Sequence, residues 1–128
     1  MENLENRKSV LIVEDDPGIA EVCQRILNAA GFDVDAAPNG KIACDTLDKK
    51  EYDLYLVDIR MPEMNGVELY QNMTLRHAKL ADRVLFISGD TLSWNIKENL
   101  EESQRPYLSK PFTPNELRNA VKTTLDTN

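Results

Sequence analysis

The sequence predicts an α/β fold, a doubly wound parallel sheet of five strands with helices on both faces. Three observations predict it. Apolar, β-branched runs alternate five times with helical patterns. The first run, SVLIV, is continuously apolar, as in a strand covered on both faces. Helix boundaries carry their usual markers: Pro17 in a first turn, Gly31 just past a last turn, and Asn39 and Asn65 where caps are needed. Right-handed crossovers follow, while the pattern alone leaves the strand order open.

The elements run as follows. SVLIV (9–13) is the first strand. Ile19, Val22, Cys23, Ile26 and Leu27 fall at i, i+3, i+4, i+7 and i+8, one face of a first helix. FDVDAA (32–37) is a short second strand, and Ile42, Ala43 and Leu47 point a second helix inward. YDLYLV (52–57) is the third strand, followed by a helix with Val67, Tyr70 and Met73 along one face. RVLFIS (83–88) is the fourth strand. A fourth helix over 91–103 is less regular, with Trp94 out of step with Leu92, Ile96 and Leu100 and therefore expected at the surface. After Pro106 comes a very short fifth strand, YLS (107–109). A fifth helix from Pro114 turns Leu117, Ala120, Val121 and Leu125 inward.

Composition narrows the function classes. The 128 residues fit one domain. A net charge of −7 argues against direct binding of nucleic acid. No apolar run reaches the length of a membrane span, and MENLENRKS lacks the apolar core of a signal peptide. Cys23 and Cys44 have no metal or disulfide spacing and read as small core residues, so a reducing cytoplasm is the expected setting.

In a parallel sheet of this kind, ligands bind beyond the C-terminal strand ends. Glu14, Asp15 and Asp16 follow the first strand, Asp58 the third, Ser88, Gly89 and Asp90 the fourth, and Lys110 the fifth. Clustered carboxylates repel and raise one another's pKa, and a hard divalent cation relieves them. Mg²⁺ takes one or two carboxylates and completes its shell with water and phosphate oxygens. Lys110 offers a compact positive charge for a phosphoryl oxygen, Ser88 a hydrogen bond, and an Asp carboxylate can itself be the nucleophile. Asp16 also suits a plain helix start, and His77 a helix end.

The stretches VLIVEDDPGIA, LVDIRMPEMNGVEL, VLFISGD and YLSKPF, in this order and spacing, make the chain resemble a response-regulator receiver domain of two-component signalling. The resemblance covers residues 8–126 and leaves 1–7 as a polar extension. It implies a flavodoxin-like strand order 2-1-3-4-5. It implies that Asp58 is the phosphoacceptor, that Asp15 and Asp58 bind Mg²⁺ directly with Glu14 acting through water, and that Arg60 lends its backbone carbonyl. It implies that Ser88 and Lys110 contact the phosphoryl group, that the Lys110–Pro111 bond is cis, and that Ser88 and Tyr107 form a switch. Tyr107 also fits as a plain aromatic on an edge strand. Asp58 is expected as an exposed nucleophile on a rigid mount. Arg60 and Asp90 flank it and could pair over the phosphoryl group or point outward.

The implied function is a phosphoacceptor module of a phosphorelay, fed by a histidine kinase or a histidine phosphotransfer domain. Phosphorylation would switch the surface made by the fourth helix, fifth strand and fifth helix, which could also pair two copies. The module would catalyse its own phosphorylation without turning over an external substrate. The stretch ISGDTLSWNIKENLEESQRPYLSKPF is similar to receivers at the C-terminus of hybrid sensor histidine kinases, so the chain is expected to be a receiver cut from a longer protein rather than a free-standing one. Two alternatives compete. An aspartyl-phosphate phosphatase would place its nucleophile after the first strand, with a second acid two residues on and a cap domain. A degenerate receiver used only as a binding platform would lack part of the set Asp15, Asp58, Ser88 and Lys110.

Overall fold

The computed structural model describes residues 7–89 and 93–127. Its elements are β1 (Ser9–Val13), α1 (Pro17–Ala29), β2 (Asp33–Ala37), α2 (Gly40–Leu47), β3 (Leu54–Asp58), α3 (Gly66–Arg76), α4 (Ala78–Ala81), β4 (Val84–Ser88), α5 (Trp94–Ser103), β5 (Tyr107–Ser109) and α6 (Pro114–Asp126). The five strands form one sheet in the order β2-β1-β3-β4-β5, and every pairing is parallel. The expected sheet and strand order are both present.

Helix starts follow local chemistry. Asp16 caps α1 by accepting from the Gly18 and Ile19 amides, with Pro17 in the first turn. Asn39 caps α2. Asn65 with Glu68, and Thr113 with Glu116, form reciprocal capping boxes on α3 and α6. Gly31 takes a φ of 97° just past α1, the left-handed conformation that glycine adopts without steric cost.

The core has two layers, one on each face of the sheet. Leu11, Val13, Tyr55, Val57, Val84 and Phe86 pack against α2, α3, α4 and α5. Val10, Ile12, Leu54, Leu56, Leu85 and Ile87 pack against α1 and α6. Alternate residues of β1, β3 and β4 therefore serve opposite layers, which is why these strands read as unbroken apolar runs.

Three expectations need correction. Val22 is 54 % exposed rather than inward, because Cys23 and Leu27 fill the space under α1. Ile42 also lies outward, while Ala43 and Leu47 are buried. The short helix α4 was not foreseen: His77 leaves helical geometry (φ −141°, ψ 59°), and the chain restarts so that Leu80 and Ala81 reach the core. The fourth and fifth helices expected from sequence are therefore α5 and α6 here. Helix α5 begins at Trp94, exposed as expected, while Leu92 and Asp90 lie outside the described residues.

Candidate functional site

The C-terminal ends of β1, β3, β4 and β5 bring Glu14, Asp15, Asp58, Ser88 and Lys110 to one edge. Each arrives on a rigid support. The Glu14 amide donates to the Ala37 carbonyl of β2 (3.2 Å), the Ile59 amide to the Ile87 carbonyl of β4 (3.0 Å), and the Lys110 amide to the Ser88 carbonyl (2.8 Å). The Lys110–Pro111 bond is cis, as the resemblance implies.

Asp58 is only 2 % exposed, so the expectation of an exposed nucleophile is wrong. Its Oδ2 accepts from Lys110 Nζ at 3.4 Å and its Oδ1 from the Arg60 amide at 3.4 Å. The loop that follows packs tightly on the Asp58 backbone. The Gly66 amide donates to the Ile59 carbonyl (2.9 Å), folding the start of α3 back onto the end of β3. A Cβ on Gly66 would stand 2.9 Å from Ile59 Cα and closer still to the Asp58 carbonyl oxygen. Only glycine permits this approach. The sequence carried a signal for it: glycine is a poor choice inside a helix that Asn65 already caps, so it marks close backbone contact.

Glu14 is also 2 % exposed. Its Oε1 accepts from the Asp16 amide at 3.1 Å, while Oε2 is buried with no hydrogen-bond partner. The nearest cation to Oε2 is Lys110 Nζ at 3.6 Å, beyond hydrogen-bonding range. Burial, then the adjoining Asp58 carboxylate, push the Glu14 carboxyl up to about 8, and the Asp16 amide and then Lys110 offset this only in part. Asp15 is exposed beside them. Carboxylate oxygens of Glu14, Asp15 and Asp58 all lie within 4.8 Å of one another. An orphaned buried oxygen within a compact, all-oxygen acidic cluster fits a hard divalent cation such as Mg²⁺. Asp16 does not join the cluster, since its side chain is spent on the α1 amides.

Ser88 ends β4, buried, with Oγ donating to the Gly89 carbonyl at 3.1 Å. Tyr107 opens β5 opposite Phe86 and is 58 % exposed. Both line one cavity of about 320 Å³ together with Gly89, Lys97, Leu100 and Glu101. The Arg60 side chain is exposed beside the site, and its expected companion Asp90 lies outside the described residues. Sequence reasoning missed a larger apolar hollow of about 710 Å³ between Ile19, Val22 and Cys23 of α1 and Lys110, Pro111 and Phe112 after β5. Its signal was Val22, a branched aliphatic that the helical pattern had assigned to the core.

The comparisons agree with this geometry. The family model for the response regulator receiver domain matches residues 10–122. The alkaline phosphatase synthesis transcriptional regulatory protein PhoP of Bacillus subtilis is 30 % identical over 92 % of this chain and 48 % of its own length. Sporulation initiation phosphotransferase F of the same organism is 31 % identical over 90 % of this chain and 91 % of its own. The chain thus spans about half the length of the curated transcriptional regulators it matches. A CheY-like response regulator receiver domain protein from Methanospirillum hungatei superposes with a TM-score of 0.86 at 25 % identity, covering 95 % of this chain and 96 % of the other. With most of its length matched by that model, the chain belongs to the response regulator receiver domain family.

Proposed function

We propose that this receiver domain, residues 8–126, accepts a phosphoryl group on Asp58 from a phosphohistidine of a histidine kinase or a histidine phosphotransfer domain. The observation that carries the reading is the placing of Asp58 between Lys110 Nζ at 3.4 Å and the Glu14–Asp15 acids. An Asp58 oxygen attacks phosphorus in line, the P–N bond to the donor imidazole breaks, and the electron pair leaves with the imidazole nitrogen. Lys110 holds a phosphoryl oxygen, and the Ser88 hydroxyl exchanges the Gly89 carbonyl for another. A Mg²⁺ ion held by Asp15, Asp58 and the Arg60 carbonyl, with Glu14 reaching it through water, would neutralise charge on the transferring group.

The cavity shared by Ser88 and Tyr107 supports a switch in which the Tyr107 ring turns inward once Ser88 moves. That would remodel the α5-β5-α6 face, which already presents Trp94 at 77 % exposure and Tyr107. The same face is the surface we assign to a homodimer. No helix among the described residues is long and apolar enough to cross a membrane, in keeping with a cytoplasmic site of action. The domain accepts one phosphoryl group and turns over no external substrate, and it fits the C-terminal position of a hybrid histidine kinase.

Incubation with acetyl phosphate and Mg²⁺ tests this. A base-labile, acid-stable adduct is expected on the wild type and none on Asp58→Asn. Chelation of Mg²⁺ is expected to slow its formation by orders of magnitude. An adduct that persists in Asp58→Asn would sink the assignment.

A further inference from the structure

At the opposite end of the sheet from Asp58, a cavity of about 420 Å³ is lined by Lys79, Asp82, Arg83, Arg105 and Thr127. Three cations meet one carboxylate there, on a chain whose net charge is −7. Like charges do not gather without something to hold them, and two are visibly held. Glu51 takes Lys79 at 3.2 Å and Arg83 at 3.3 Å, which keeps them side by side. Arg83 Nη1 also donates to the Tyr52 carbonyl at 2.7 Å, anchoring it to the start of β3.

Arg105 is different. Its Nε donates to the Val84 carbonyl at 3.0 Å, which fixes the guanidinium plane against the start of β4. Among the described residues no carboxylate comes within ion-pairing distance of it, and its two Nη groups take no hydrogen-bond partner. Burial lowers its pKa from the ordinary value, and Tyr70 and then Asp82 offset this only in part. A half-buried guanidinium with its fork open, beside two cations braced by Glu51, is short of an anion. The acids at the far edge cannot supply one. A five-residue strand spans about 16 Å, and the screening length is about 8 Å at physiological ionic strength.

The open fork of Arg105, the remaining donors of Arg83 and the Lys79 ammonium suit an oxyanion with several acceptor oxygens and more than one charge; a monocarboxylate offers only two oxygens. We propose that the pocket formed by Lys79, Arg83 and Arg105 at the N-terminal end of the sheet binds a small phosphate-bearing anion of orthophosphate to diphosphate size. The site is independent of the chemistry at Asp58.

The test is an amide NMR titration of the metal-free protein with sodium pyrophosphate, with sodium chloride holding ionic strength constant. The expected result is a saturable shift of amides around residues 79–84, 104–106 and 127, while Asp15, Asp58 and Lys110 stay still. Arg105→Gln should weaken binding at least tenfold, and Lys79→Gln several-fold. Lys79 is an exposed side chain, so Lys79→Gln carries the test should Arg105→Gln fail to fold. Absence of a saturable shift, a shift centred on Lys110, or unchanged affinity in a folded variant each overturns the proposal.

Discussion

Glu14, just past β1, and Asp35, within β2, are both acids of this sheet, and their surroundings are opposite. Asp35, on the flank of β2, accepts from the Tyr52 hydroxyl at 2.5 Å and from Lys50 at 3.2 Å. The Tyr52 hydrogen bond, helped by Lys50, holds its carboxyl below the ordinary range against the opposing effect of burial. Glu14 is buried at the end of β1 with one oxygen orphaned, and its carboxyl is pushed up. The same contrast holds more widely. Asp48 is paired with Arg76 and His77, Glu51 with Lys79 and Arg83, and Asp53 accepts from the Ser9 amide and hydroxyl. These acids away from the site are satisfied by protein, whereas Glu14 keeps one buried oxygen without a hydrogen-bond partner. A fold that can answer its carboxylates elsewhere, and does not do so here, holds that charge for something that arrives.

The largest break in this comparison comes from glycine. Gly66→Ala drives a methyl against the Asp58 carbonyl and Ile59 Cα, both backbone atoms that cannot rotate away. It should cost about 2–3 kcal/mol, the upper part of the usual range for forced overpacking, read as a lower urea midpoint. It should also slow Asp58 phosphorylation. Gly89, at the end of β4 in the same site, has nothing within 4 Å of a Cβ position. Gly89→Ala should therefore leave the midpoint unchanged. Equal effects at the two glycines would mean that close packing on Asp58 does not set its position.

Much of this is legible in the sequence itself. Five strands, their parallel arrangement and the residues at their ends follow from buried apolar runs and from motifs spaced along the chain. The close approach of Gly66 to the Asp58 backbone from eight residues away was not legible, because periodicity does not encode such a packing relation. Val22 went wrong for a related reason. A helical face five residues wide is broader than the space Cys23 and Leu27 need filled, and the surplus aliphatic lines a surface hollow instead. Helix α4 has four residues, too few to show a period. The basic pocket escaped notice since Lys79, Arg83 and Arg105 are scattered in sequence and converge only through Glu51 and the sheet.

A middle-sized effect is expected at Glu14. Its folded pKa, about 8, lies above the ordinary 4.5. Between those values the folded state keeps a proton that the unfolded chain has released. Stability of the metal-free protein therefore falls as pH rises through that window, and is unaffected by this group below it. Mg²⁺ should flatten the slope by favouring the charged carboxylate. Glu14→Gln, which has no proton to lose, should remove the slope and raise stability near pH 8 by about 1–3 kcal/mol, a part of the roughly 1.4 kcal/mol carried by each unit of pKa difference. Thermal melts across pH, with and without Mg²⁺, measure both. A metal-free wild type whose stability is flat through the window would contradict the strained reading of the acidic edge.

The smallest effect sits at the satisfied acid and has the opposite sign. The Asp35 pKa is depressed in the folded state, so its contribution is present above the unfolded value near 3.8 and is lost as pH falls through the folded one. Tyr52→Phe removes the hydroxyl that is the main cause of the depression, while Lys50 remains. The ring keeps its edge-on packing with Tyr55 at 5.9 Å between centroids, so the core should not respond. The loss should be about 0.5–1 kcal/mol at neutral pH, at the low end for a hydrogen bond because Asp35 stays open to water. It should vanish in acid, once pH has fallen through the depressed folded value and the carboxyl is protonated in both states. A Tyr52→Phe deficit that persists in acid would show that the hydroxyl acts through packing and not through Asp35. The two ends of the molecule would then differ in crowding more than in how they treat charge.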